Sequence, residues 1–219
     1  MLKLSQVSVK IGGVDVLRNV TMDVPPNAFV ALVGRNGAGK TTLMRSVMNL
    51  IPVASGEMSI AGRNTTHVPS YAHARSGVGY MPEDRRLVAD WTVEQNIKLP
   101  AWASRNPDIQ SRLEKIYALI PEVDRFQDRK AMQLSGGQQK LVALARAFMA
   151  SRNLLILDEP FEGVAPALVQ RLIEILSGMR KQSSLSVLIS ESDAVHSKKL
   201  VDCTYTIERG RVDGVSRTI

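Results

Sequence analysis

The stretch Gly34-Arg35-Asn36-Gly37-Ala38-Gly39-Lys40-Thr41-Thr42 constrains this chain more than any other. Glycines at 34 and 39 and the Gly-Lys-Thr run at 39–41 have the spacing of a loop that wraps phosphates. Each residue type has a physical task. Glycines let the backbone turn its N–H groups inward on phosphate oxygens, where side chains would obstruct. Lys40 brings a point charge to the β and γ phosphates, and the Thr41 hydroxyl can ligate Mg²⁺. The flanks agree with this reading. Phe29-Val30-Ala31-Leu32-Val33 reads as a buried strand, and Leu43, Val47 and Leu50 fall at i, i+4 and i+7 of a following helix whose positive end points at the nucleotide.

A second apolar run, Leu154-Leu155-Ile156-Leu157, ends in Asp158-Glu159-Pro160. Neighbouring strand positions face opposite ways, so Asp158 is expected to hold a Mg²⁺ water while Glu159 faces the other side, toward a hydrolytic water. Between the two lies Leu134-Ser135-Gly136-Gly137-Gln138. Ser135 offers a hydroxyl, Gly136 and Gly137 offer unobstructed N–H groups, and a helix opening near Gln138 adds its dipole.

Charge and cysteine content exclude some classes. The 28 basic and 21 acidic residues give a net charge of +7. The basic residues are scattered through mixed stretches, with pairs such as Arg85-Arg86 and Lys198-Lys199, so a phosphate site plus a solvated surface explains the excess and no nucleic-acid partner is expected. Cys203 is alone, which removes intrachain disulfides and thiolate zinc clusters. No apolar stretch approaches the length of a membrane span, and the first residues lead into polar alternation rather than a signal peptide. Any membrane role is therefore borrowed from a partner.

Along the chain, Leu2, Leu4, Val7, Val9 and Ile11, a Gly12-Gly13 turn, and Val14 and Val16 alternate as antiparallel sheet. Met58-Ser59-Ile60 before an Ala61-Gly62 turn returns to that sheet, and Val78–Met81 is a short buried strand. From Glu83 to Gln133 the pattern is helical. Thr92 with Gln95 forms a capping box, Asn106-Pro107 opens another helix, and Ile109, Leu113, Ile116, Tyr117 and Ile120 line one face. A helix from Pro166 shows Leu168, Leu172, Ile175, Leu176 and Met179 on one side. Strand Val187-Leu188-Ile189 and a hairpin about Gly210 follow. Residues 1–219 are expected to form one domain with a helical subdomain at about 83–133. Trp91 and Trp102 are expected in the core, His196 at the surface, and His67 and His73 in a loop without a site.

The order of phosphate loop, helical insert, Leu-Ser-Gly-Gly-Gln and Asp-Glu-Pro resembles the ATP-binding subunit of an ABC transporter over essentially the whole chain. The resemblance implies an α/β fold: a P-loop NTPase core with a parallel sheet, an N-terminal antiparallel β subdomain and an inserted α-helical subdomain. It implies ATP and Mg²⁺, with Thr41, Glu83 and Asp158 at the metal, and Lys40 and Glu159 as the catalytic pair. Gly34 to Thr42, Ile11, Val16 and Ser192 would face one nucleotide, and Ser135, Gly136, Gly137 and Gln138 the nucleotide of a second ATPase subunit in a head-to-tail dimer. Membrane permease subunits and, indirectly, a substrate-binding protein outside the membrane would complete a transporter. The subunit would then lie in the cytoplasm against the inner face of the membrane. Met81-Pro82-Glu83-Asp84-Arg85-Arg86 and Glu159-Pro160-Phe161-Glu162-Gly163-Val164-Ala165-Pro166 are similar to the branch serving importers of branched-chain and other hydrophobic amino acids.

Several positions depart from that family's pattern. Ile11 stands where an aromatic residue stacks on adenine, Glu83 where a Gln is usual, Ala165 where an Asp is usual, and Ser192 where a His contacts the γ-phosphate. These departures imply a weakened site of its own beside an intact Ser135 loop, and so a non-identical partner ATPase. Two alternatives stay open: a nearly inactive nucleotide-binding regulatory subunit, and a soluble ABC ATPase acting on nucleic acid or translation.

Overall fold

The computed structural model describes residues 1–105 and 107–217. The alternating N-terminal residues form β1 (Leu2–Ile11) and β2 (Val14–Val24), paired antiparallel about the Gly12-Gly13 turn. β4 (Ser55–Ile60) returns to the other edge of β1, and β5 (Arg63–Asn64) completes a four-stranded sheet in the order β2-β1-β4-β5. The apolar alternation breaks between Leu4 and Val7, and the structure absorbs the extra residue as a register shift with Gln6 at φ 51°. Leu2, Leu4, Val7 and Val9 are all buried as a result. Gly56 of β4 accommodates that irregularity, because a Cβ there would lie 2.3 Å from the Gln6 carbonyl oxygen. The outer end of the pattern leaves the core: Ile11 is 46% exposed and Val14 64%.

The second sheet has the order β10-β9-β3-β8-β7-β6. β3 (Phe29–Val33), β6 (Val78–Met81), β7 (Leu154–Asp158), β8 (Ser186–Glu191) and β9 (Cys203–Glu208) run parallel, and β10 (Arg211–Arg217) closes one edge as an antiparallel hairpin. Continuous apolar runs in the central strands reflect cover on both faces. Phe29, Ala31, Leu155, Leu157, Val187 and Ile189 pack on one side with α3 (Val93–Ala103), α6 (Gly136–Ala150) and α7 (Pro166–Gln182). Val30, Leu32, Leu154, Ile156 and Leu188 pack on the other, with α1 (Lys40–Val47) and the four-stranded sheet.

The expected helices are present with changed limits. α1 ends at Val47, so Leu50 lies beyond it and is 49% exposed, while Met44 takes the buried position. The stop is Asn49, at φ 51°, whose side-chain amide donates to the carbonyls of Thr65 and Val68 at 2.6 Å each. α2 (Ser70–Arg75) carries His73, which is buried against Asn49 rather than sitting in a loop. Asn106 lies outside the described residues, and α4 (Ile109–Leu119) begins beyond Pro107, followed by α5 (Pro121–Arg125). Leu113, Ile116 and Ile120 are buried on the expected face. Trp91 and Trp102 pack edge to face with centroids 6.2 Å apart, but Trp102 is 46% exposed, so the pair forms a surface feature rather than core.

The capping box opens α3 as its sequence predicts: Thr92 Oγ1 accepts from Gln95 N at 3.1 Å and Gln95 Oε1 accepts from Thr92 N at 2.9 Å. Replacing Thr92 by Ala should lower unfolding free energy by about 0.5–2 kcal/mol. Urea denaturation of the two proteins checks it, with an unchanged midpoint counting against the cap.

Candidate functional site

The phosphate loop connects the end of β3 to α1, and close packing fixes its shape. A Cβ on Gly34 would stand 2.2 Å from the Ile207 carbonyl oxygen, and Gly39, the α1 N-cap, has φ 110°. Lys40 is 3% exposed. Its ammonium donates to Gly34 O at 2.5 Å and Arg35 O at 3.3 Å and pairs with Glu159 Oε1 at 3.0 Å. A cavity of about 360 Å³ lies over the loop, lined by Asn36, Gly37, Gly39, Lys40, Thr41 and Thr42 with Val16, Glu83, Glu159 and Glu162. Val16 lines this cavity, whereas Ile11 does not.

Alternation along β7 puts Asp158 on the same face as Leu154 and Ile156, toward α1. It is fully buried and accepts from Thr41 Oγ1 at 3.3 Å, Ser190 Oγ at 2.7 Å and Tyr80 OH at 3.3 Å. Burial raises its carboxyl above the ordinary aspartate range despite those three donors. Thr41, Asp158 and Glu83 offer hard oxygen ligands of the kind Mg²⁺ takes. Among the described residues no three His, Cys, Asp or Glu side chains form a metal cage.

Glu159 follows β7 at φ 49°, and its carboxylate meets Lys40 at the cavity over the phosphate loop. Burial opposes its charge, but hydrogen bonds with Glu162 and Lys40 and the charges of Lys40 and Lys140 prevail and hold the carboxyl below the usual glutamate range. Glu162 moves the other way, raised by its hydrogen bond to Glu159 and by burial.

Ser192 lies just past β8, where its hydroxyl donates to Asn36 Oδ1 at 2.9 Å, so the position expected to face the γ-phosphate does touch the phosphate loop. His196 is not a bare surface residue. It is half-buried, its ring centroid lies 5.7 Å from that of Phe161, and it lines a second cavity of about 340 Å³ with Glu159, Glu191 and Ser192. Ser135 is the α6 N-cap and exchanges bonds with Gln138: its hydroxyl accepts from Gln138 N at 3.3 Å, and its N–H donates to Gln138 Oε1 at 3.0 Å. Ser135, Gly136, Gly137 and Gln138 do not line the cavity over this chain's phosphate loop.

Ser190 and Tyr80 were not foreseen. Tyr80 is the polar residue of an otherwise apolar strand, Val78-Gly79-Tyr80-Met81, and Ser190 ends the apolar run Val187-Leu188-Ile189; those polar positions were the available signal.

A phosphate loop at a sheet's carboxyl edge, facing a buried aspartate and a lysine-paired glutamate, defines a nucleoside triphosphate hydrolase of the P-loop class. The sequence model of the ABC transporter family matches residues 17–162. The high-affinity branched-chain amino acid transport ATP-binding protein BraG of Pseudomonas aeruginosa is 33% identical over 212 residues, 97% of this chain and 91% of that protein. The lipopolysaccharide export system ATP-binding protein LptB of Haemophilus influenzae is 31% identical, over 90% and 82% respectively. Among solved structures, the dimeric ABC transporter cassette MJ0796 matches 100% of this chain and 99% of its own at TM-score 0.89 and 22% identity, a likeness of fold. The chain belongs to the ABC transporter family, as an ATP-binding and ATP-hydrolysing subunit of a transporter. No helix among the described residues is long and apolar enough to cross a membrane.

Ser190 Oγ also accepts from Glu159 N at 3.0 Å, so one hydroxyl ties both carboxylate residues. Ser190→Ala should cost about 1–3 kcal/mol of stability through unpaired buried groups. It should lower ATP turnover more than ATP binding. Calorimetry alongside steady-state hydrolysis would show this, and intact turnover would deny Ser190 a part in the site.

Proposed function

We propose that this subunit energises a membrane importer of branched-chain or other hydrophobic amino acids, with Glu159 as the general base. The observation that carries the hydrolytic reading is the 3.0 Å contact of Lys40 with Glu159. This contact supports the reading of Glu159 as a base beside the phosphate-binding cation. An incoming γ-phosphate competes with Glu159 for the Lys40 ammonium, and a released Glu159 is free to take the proton of the attacking water. Loop amides from Gly34 to Thr42 neutralise phosphate charge. Thr41, Asp158 and Glu83 would hold Mg²⁺, which would supply positive charge against the negative charge of the phosphates.

The amino acid cargo is supported by the likeness to BraG over nearly the whole chain. Export is the second reading, favoured by the likeness to LptB. Uptake of labelled leucine and valine by cells with and without the subunit separates the two, since unchanged uptake would remove the importer assignment.

In this reading the subunit lies against the cytoplasmic face of the membrane beside permease subunits, with an extracytoplasmic substrate-binding protein acting through them. It pairs head to tail with a non-identical ATPase. Its Ser135-Gly136-Gly137 loop is intact, while its own site has the aliphatic Ile11 and the short Ser192 hydroxyl already engaged with Asn36. Absence of one preorganised donor costs about 10²–10³ in rate, so the chain completes its partner's site better than it runs its own.

Glu159→Gln should keep ATP binding, abolish most hydrolysis and accumulate an ATP-bound dimer, measurable by size exclusion with bound-nucleotide analysis. Wild-type turnover would overturn the base assignment. In the assembled transporter, Ser135→Arg should remove most hydrolysis whereas Lys40→Ala leaves a substantial share. The reverse ranking, read from paired ATPase assays, would point to two equal sites.

A further inference from the structure

Lys140 sits on the second turn of α6, only 5% exposed. Its ammonium donates to two backbone carbonyls, Glu159 O at 3.2 Å and Glu162 O at 2.6 Å. Those carbonyls bracket the turn that follows β7, itself closed by Glu162 N donating to Glu159 O at 3.3 Å. Within that turn Glu159 holds the left-handed conformation that brings its carboxylate to Lys40. Such a conformation persists only where its surroundings impose it, and the buried ammonium is the group that grips both ends. The same helix opens at Ser135, five residues before Lys140, so one rigid element carries both the Ser-Gly-Gly loop and the grip on the Glu159 turn.

We propose that Lys140 is a positioning residue that aims the Glu159 carboxylate through the Glu159 and Glu162 carbonyls, and thereby links the Ser135 loop that opens α6 to the hydrolytic base gripped one turn further along the same helix. The inference rests on the hydrolytic reading above. Motion of α6, when its Ser135 end engages a nucleotide, is transmitted to the turn that carries Glu159. A subunit of this build readies its own base when it serves a second site. Neither residue type nor spacing in the phosphate loop provides that coupling.

The titration of Lys140 supplies a readout that a packing role lacks. Burial brings its ammonium down to about 8, helped by the charge of Arg85, while Glu162, Glu159 and Glu83 act in the opposite direction. Loss of the proton above that pH weakens both carbonyl bonds. The wild-type turnover rate should therefore fall as pH rises through about 8.

The test compares the wild-type transporter complex with complexes carrying Lys140→Met and Lys140→Arg, measuring steady-state hydrolysis across pH and ATP affinity by calorimetry. Lys140→Met should lower the Glu159-dependent share of kcat, the share that Glu159→Gln removes from the same complex, by about 10- to 100-fold, as for a misaimed catalytic group, with ATP affinity nearly unchanged. Its remaining activity should lack the alkaline fall. Lys140→Arg should keep most of kcat and move the fall to higher pH, because a guanidinium keeps its charge. Should the Met variant fail to assemble, Lys140→Gln, which retains an uncharged donor, should give a reduced kcat independent of pH near 8. Wild-type kcat in the Met variant, a matching loss of ATP affinity, or an alkaline fall that survives in Met or Gln would overturn the proposal. A failure of the hydrolytic reading looks different: the wild-type complex would bind ATP without any turnover dependent on Glu159.

Discussion

The buried charge pair of Lys40 and Glu159 organises the site. Neither group is in water, with side-chain exposures of 3% and 8%, so each depends on the other and on the carbonyls around it for compensation. That dependence explains why the phosphate loop is so tightly specified. Gly34 lets the loop lie against the Ile207 carbonyl, and the loop's own carbonyls take part of the lysine's charge. In the proposed mechanism a phosphate enters by exchanging with a carboxylate already in place, and binding and release of the base become one event.

Sheet order brings the remaining parts to this pair. β3 lies beside β8 and β8 beside β7, and the three strands run parallel, so their carboxyl ends deliver the phosphate loop, Ser190 with Ser192, and Asp158 with Glu159 to one edge. Gly34 N donates to Glu191 O at 3.1 Å, extending the β3–β8 pairing into the loop itself. Asp158 stands opposite Ser190 in register, which puts the shortest of its three hydroxyl donors against a carboxylate buried in the core.

What could be read in the sequence was what depends on near neighbours. The glycines and lysine of the phosphate loop, the Thr92–Gln95 capping box, and the placing of Asp158 by strand alternation all follow from spacing within a few residues. Glu159 was identified by type, whereas its left-handed backbone is announced by nothing in Asp-Glu-Pro. Leu50 was assigned to α1 because its spacing fits; the competing signal was Asn49, whose side chain binds a loop distant in sequence. Ser190, Tyr80 and Lys140 escaped notice for a common reason. Their partners come from strand register and helix docking across 19 to 78 residues, and local pattern carries no record of either.

The β9–β10 turn is ordinarily the sort of place where a chain tolerates added residues. Here it acts as a rivet. Gly210 N donates to Ala38 O at 2.9 Å, Gly210 O accepts from Arg18 N at 2.8 Å, and a Cβ on Gly210 would fall 1.9 Å from the Val16 carbonyl oxygen. One glycine thus joins the parallel sheet's edge hairpin, the antiparallel sheet and the phosphate loop. A hairpin tip that looks like free surface is in consequence closed to epitope tags, fluorescent insertions and circular permutation. Lengthening it would pry the two sheets apart at the point where they hold the nucleotide loop between them.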